Sequence, residues 1–194
     1  MPYRELFVKG NYYHIYNRGA SQGKIFFSND NYLHCIRLMK KYATRFLISV
    51  IAYCLMPNHY HFLLRQDGEI SLAKFINVVF NAYVQAVNKQ RGRKGTLFAG
   101  RFKDIHVDKN EYLVHLCRYI HLNPVDGGIV SNPENWAYSN YQEWIGTRSG
   151  TLIDHQFVSS YFPQPEDYKK FVEEYQKEKE LQIQEALKLY YLDK

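Results

Sequence analysis

Hydrophobic periodicity changes repeatedly along the 194 residues and divides the first two thirds of the chain into short strands and longer helices. Tyr12–Arg18 (YYHIYNR) is aromatic and β-branched, stops at Gly19, and predicts a strand, with Gly19–Lys24 as a loop. Ser28 or Asn29 can cap a helix reaching about Thr44, because Leu33, Ile36, Leu38, Met39 and Ala43 recur at roughly helical spacing. Phe46–Leu55 is the most strand-like stretch. Met56-Pro57-Asn58 interrupts it and His59–Arg65 (HYHFLLR) resumes, which predicts an antiparallel hairpin. Ile70–Asn88 carries Leu72, Phe75, Ile76, Val79, Phe80, Tyr83 and Val87 on one stripe, an amphipathic helix with Ser71 as its cap.

Gln90–Gly100 is basic and punctuated by glycine, hence a loop, and Arg101–Val107 predicts a short strand. Asn110–Leu122 is helical and expected to stop there, since Pro124 disfavours α geometry at Asn123. Gly127, Gly128 and Pro133 mark another loop, Tyr138–Ile145 predicts a short helix, and a charged helix follows Pro165. The order β-α-β-β-α-β-α predicts an α+β fold of the ferredoxin-like, split βαβ kind, an antiparallel sheet with helices on one face. The expected division is a main α+β domain over residues 1–150 and a C-terminal helical extension over 151–194.

Composition narrows the class. Apolar residues make up 46% of the chain, enough for a sizeable core. The formal charge is +6, from 25 Lys and Arg against 19 Asp and Glu. Residues 165–194 hold six basic and eight acidic side chains, so the surplus belongs entirely to residues 1–164. It is densest between Gln85 and Arg118, and it points to a polyanionic partner. The longest apolar run, Phe46–Met56, is too short to cross a bilayer, and MPYRELFVKG has no apolar h-region. Cys35, Cys54 and Cys117 are scattered without a CxxC pair, which argues against disulfide and cysteine-zinc scaffolds. A cytoplasmic protein with no membrane partner is expected.

Three stretches could carry chemistry. On a strand, His59 and His61 project from the same face while Tyr60 points away, and two imidazoles about 6–7 Å apart at Cα can converge on one metal ion. On the helix after Asn110, Tyr112, His115, Tyr119 and Asn123 fall within an arc of about 80°, beside an apolar face of Leu113, Leu116, Cys117 and Ile120. Spacing does not choose between Tyr112 and Tyr119. In the loop RGRKGTLFAGRFKD, cations interleave with Phe98 and Phe102, a composition suited to phosphates and unstacked bases.

MPNHYHFLL, GTLFAGRFKD, YLVHLCRYIHLNPV and NWAYSNY together resemble the HUH-type single-tyrosine transposases, and among them the REP-associated tyrosine transposases, over about residues 8–146. The resemblance implies a nuclease that cuts single-stranded DNA beside a hairpin, forms a covalent 5′-phosphotyrosine and leaves a free 3′-hydroxyl. Carried over, the histidine pair is His59 and His61, and the nucleophile, in a Y-I-x-x-N-P context, is Tyr119. The polar side chain four residues on, which completes the metal site in the wider family, is Asn123, a weaker ligand than a carboxylate. The implied cofactor is a divalent ion, Mg²⁺ or Mn²⁺. A phenol of pKa about 10 needs the ion's field or a base to attack at neutral pH, and His115 is one turn away. Arg18, Arg91, Arg93, Lys94, Arg101 and Lys103 are the phosphate candidates, with Phe98 or Phe102 as stacking platforms. The expected partner is hairpin-bearing single-stranded DNA and the expected state a monomer or homodimer. The alternative is a non-catalytic nucleic-acid-binding module, because ferredoxin-like sheets also stack on bases.

Overall fold

The computed structural model describes residues 7–108 and 110–192. Its strands are β1 (Tyr12–Arg18), β2 (Ile48–Met56), β3 (His59–Gln66) and β4 (Lys103–Val107). Its helices are α1 (Asn29–Phe46), α2 (Leu72–Gln90), α3 (Asn110–Asp126), α4 (Tyr141–Trp144), α5 (His155–Tyr161) and α6 (Pro165–Leu192). The strands form one sheet in the order β2-β3-β1-β4, with every neighbouring pair antiparallel. This is the α+β, ferredoxin-like arrangement expected from the element order.

The sheet is buried on both faces, and the pleat sorts its side chains. Tyr13, Ile15, Tyr60, Phe62 and Leu64 pack with the apolar stripes of α1 and α2. Leu63, Cys54 and Met56 pack with Leu113, Leu116, Cys117 and Ile120 of α3. The expectation of helices on one face is thus corrected: α1 and α2 share one face, and α3 takes the other, because inward-facing Leu63, Cys54 and Met56 give its apolar side a second surface to cover. Phe157, Tyr168 and Val172 from α5 and α6 join the α3 cluster, so the segment beyond residue 150 contributes to the same core.

Three boundaries depart from the sequence reading for local reasons. α1 runs on to Phe46, whose ring is buried, and ends with Leu47 in the left-handed region at φ 54°. α3 carries Pro124 within its last turn. The proline removes one hydrogen bond there, while the Gly127 N–H still reaches the Asn123 carbonyl at 2.8 Å and the Ile129 N–H the Pro124 carbonyl at 2.9 Å. Residues 138–140 are not helical. They lie along the outer edge of β2, where the Leu55 N–H donates to the Tyr138 carbonyl (2.9 Å) and the Asn140 N–H to the Tyr53 carbonyl (3.3 Å). That strap covers an otherwise open sheet edge.

Asn140 also ties the strap to the sheet and to α3. β2 bulges at Ile51, which puts both Ile51 and Ala52 on the α3 side. The bulged Ile51 carbonyl accepts from Asn140 Nδ2 (2.9 Å) and Trp144 Nε1 (3.1 Å). Asn140 Oδ1 accepts the Tyr53 N–H (2.7 Å) and contacts His121 Nε2 of α3 at 2.9 Å. The opposite ring nitrogen of His121 meets the Tyr168 hydroxyl of α6 at 2.6 Å. One buried amide thus joins sheet, strap and helix.

Candidate active site

The β2–β3 connection is a two-residue hairpin, because Met56 pairs directly with His59. Its Pro57 carbonyl accepts the N–H groups of Ile25 (2.7 Å) and Phe26 (3.1 Å), and its Asn58 carbonyl accepts the Gly19 N–H (2.7 Å). The start of β3 is thereby held from outside. His59 and His61 then alternate with buried Tyr60 and face the α3 side of the sheet, with ring centroids 5.3 Å apart.

β1 brings a third imidazole to the same face. Tyr16 lies directly across from His61, and His14 lies diagonal to it. His14 Nε2 and His61 Nδ1 are hydrogen-bonded at 2.9 Å. The His14, Tyr16 and His61 rings stack on one another with centroids 5.0–5.7 Å apart. Tyr119 of α3 stands edge-on above them, 5.6 Å from His61 and 6.3 Å from His14, with interplanar angles of 84°. It remains 47% exposed, so a phosphate can reach its hydroxyl. Tyr112, two turns earlier and 56% exposed, makes no ring contact with these histidines among the described residues. Placement over the histidines therefore separates two tyrosines that helical spacing leaves equivalent.

Burial keeps the imidazoles neutral. It pushes His14 down to about 4, and His61 down to about 3 with help from the neighbouring His14 and His59. His59 is also lowered by burial, partly offset by its bond to Asn123. Neutral rings are the ligating form. His59 Nδ1 meets Asn58 Oδ1 at 2.7 Å, and His59 Nε2 meets Asn123 Oδ1 at 3.2 Å. Asn123 Nδ2 donates to the Tyr119 carbonyl (2.9 Å), which fixes its oxygen toward His59. A neutral imidazole has one N–H and can donate to only one of these two amide oxygens. With the proton on the shorter contact, a nitrogen lone pair and an oxygen lone pair face each other. A cation suits that gap.

His61 is prepared in the same sense: its Nδ1 is engaged by His14, leaving Nε2 as the open nitrogen. Among the described residues no group of three or more His, Cys, Asp and Glu side chains is placed to hold a metal. The donors that this face does offer are the imidazoles of His59 and His61 and the amide oxygen of Asn123.

The phosphate candidates separate into two groups. Arg18, Arg101 and Lys103 line a cavity of about 540 Å³ that also contains Tyr16, His59 and His61. Arg91, Arg93 and Lys94 sit on the turn after α2, where Arg91 stacks on Phe27 (4.1 Å) and Arg93 donates to the Thr96 carbonyl (3.2 Å). Phe98 is buried against Phe80 and Tyr60 and offers no stacking face, whereas Phe102 is only half-buried. His115 is bonded to Arg118 (3.0 Å) and packs on Phe171 of α6. His14 and Tyr16 escaped the sequence reading. Their H-x-Y alternation on β1 is the available signal, but only the register with β3 shows that it meets the H-x-H.

Fold and family agree on a class. The family model described as "Transposase IS200 like" matches residues 7–123, more than half of the chain, and the chain belongs to that family. It is a DNA-processing enzyme of transposition. A Haemophilus influenzae protein described as a REP-associated tyrosine transposase is 23% identical over 150 residues, covering 72% of this chain and 84% of that protein. The solved structure of a REP-associated tyrosine transposase bound to a REP hairpin shares the fold, with a TM-score of 0.65 at 15% identity. That likeness covers 79% of this chain and 94% of the other. Among the described residues no helix is long and apolar enough to cross a membrane.

Proposed function

We propose that this chain is a metal-dependent, single-tyrosine transposase that nicks and rejoins single-stranded DNA at hairpin-flanked sites in the cytoplasm. The observation that carries the reading is Tyr119 poised edge-on over His61, on the face where His59 and Asn123 also converge. His59, His61 and Asn123 would hold Mg²⁺ or Mn²⁺, which supplies polarisation of the scissile phosphate and relief of charge on the leaving 3′-oxygen. Tyr119 Oη is the nucleophile: its bond to phosphorus forms as the P–O3′ bond breaks, and the phenolic proton balances the 3′-hydroxyl released. The product is a 5′-phosphotyrosine, whose energy allows rejoining without ATP.

His14 acts as a positioning residue, accepting the His61 Nδ1 proton so that Nε2 stays open. Arg18, Arg101 and Lys103 hold flanking phosphates. In this reading His14, His59, His61, Tyr119 and Asn123 act from one chain, so a monomer would carry a whole site. Incubation with Mn²⁺ and hairpin-bearing single-stranded DNA is expected to yield an adduct that survives denaturation and is absent in Tyr119→Phe. An adduct that persists there but is lost in Tyr112→Phe overturns the tyrosine assignment. DNA processing that ignores His59→Ala with His61→Ala overturns the metal site.

A further inference from the structure

The histidine cavity has a neighbour. A second cavity, of about 430 Å³, opens between α2 and the segment 95–102, and the two share Asn17, Gly100 and Arg101 in their walls. Its α2 wall carries Asn77, Asn81 and Gln85, spaced four residues apart and so aligned as one ridge along the helix. All three are exposed, and their side chains make no hydrogen bond among the described residues.

An exposed helix face ordinarily carries charged side chains, with acid–base pairs at this spacing. α2 has no acidic residue anywhere along its 19 residues, and no carboxylate lines either cavity. Neutral amides offer a donor and an acceptor together, which is what a nucleobase edge requires, and the missing carboxylates spare a neighbouring phosphate any repulsion. Phe102 contributes a half-buried ring to the same cavity.

The opposite wall is already in place. Asn88 Nδ2 donates to the Gly95 carbonyl (2.7 Å), the Ala20 N–H to the Leu97 carbonyl (2.9 Å) and the Ala99 N–H to the Arg18 carbonyl (3.0 Å). Binding therefore does not have to order this segment first.

We propose that this amide-lined cavity receives an unpaired nucleobase of the DNA strand whose phosphate lies at the histidine pair, with Asn81 and Gln85 reading its edge and Phe102 stacking on its face. The proposal rests on the single-stranded DNA reading above and adds where a base beside the cut is held. Its shared wall with the histidine cavity makes Arg101 the link between base and phosphate.

The test uses the full chain in EDTA with dodecathymidylate carrying 5-iodouracil. Photo-cross-links mapped by mass spectrometry are expected at Phe102 or on α2. Asn81→Ala/Gln85→Ala, two exposed changes to a strong helix former, is expected to keep the wild-type Tm, to weaken binding roughly tenfold and to lose that cross-link. Salt-dependent binding with unchanged affinity in the double variant, and cross-links confined to α3 or α6, overturns the base cavity and leaves the transposase reading standing. No salt-dependent binding of the oligonucleotide overturns both.

Discussion

Replacing Asn140 by alanine should cost stability far out of proportion to the few atoms removed. The side chain is fully buried and makes three hydrogen bonds, to Ile51, Tyr53 and His121. The Ile51 carbonyl keeps its bond from Trp144, so two partners are orphaned: the Tyr53 N–H and the His121 ring nitrogen. Each buried group left without a partner costs about 1–3 kcal/mol. Together with the small cavity, the loss comes to roughly 3–6 kcal/mol, a large share of the ~5–15 kcal/mol that stabilises an ordinary domain. At about 2–4 °C per kcal/mol for a chain of this size, Tm should fall by on the order of 10 °C or more. Urea unfolding followed by circular dichroism at pH 7 measures it. A loss below about 1 kcal/mol would refute the view that this amide joins strap, bulge and α3. The stakes reach the site, because α3 carries Tyr119 and Asn123 while the sheet carries the histidines.

Other expectations follow from the same geometry. His14→Phe keeps an aromatic ring but removes the acceptor for His61 Nδ1, so Mn²⁺ affinity measured by electron paramagnetic resonance should fall about 10–100-fold, with partial rescue by His14→Gln; unchanged affinity would show that His61 needs no such partner. Arg118 lies over the rings of Phe171 (4.2 Å) and Tyr175 (3.9 Å) and also donates to the Phe171 carbonyl, so Arg118→Ala should cost about 1–2 kcal/mol and speed amide exchange in the first half of α6. Exchange rates that do not change would mean that α6 docks without it. Arg18→Ala, Arg101→Ala and Lys103→Ala should each reduce the salt slope of single-stranded DNA binding by about 0.7, and Lys94→Ala by less, because it stands outside the histidine cavity. Equal slopes for all four variants would place the backbone path elsewhere.

The chain's local patterns were enough to set its architecture. Periods of two and 3.6 residues distinguish strands from helices without reference to anything distant, and their order predicts the antiparallel sheet that forms. The same pleat puts His59 and His61 on one face, and the helical repeat puts Tyr112, Tyr119 and Asn123 on one side of α3. These are properties of a few consecutive residues, so they survive any tertiary arrangement.

What depends on pairing between distant segments was settled only by the folded chain. Register places Tyr16 across from His61 and lets His14 reach its ring; slipping that pairing by one residue would turn both to the other face. Which of Tyr112 and Tyr119 stands over the histidines depends on how far along β2 and β3 the helix docks, and no spacing within α3 encodes that distance. Phe98 counts as a stacking candidate because cations interleave with it along the loop, yet Phe80 and Tyr60 bury it from across the chain. Local pattern predicts a helix from Tyr138, but the open edge of β2, some 85 residues earlier, claims the backbone of residues 138–140. Local chemistry determined which elements form and which side chains share a face; tertiary packing, through register and docking, decided which of those faces meet.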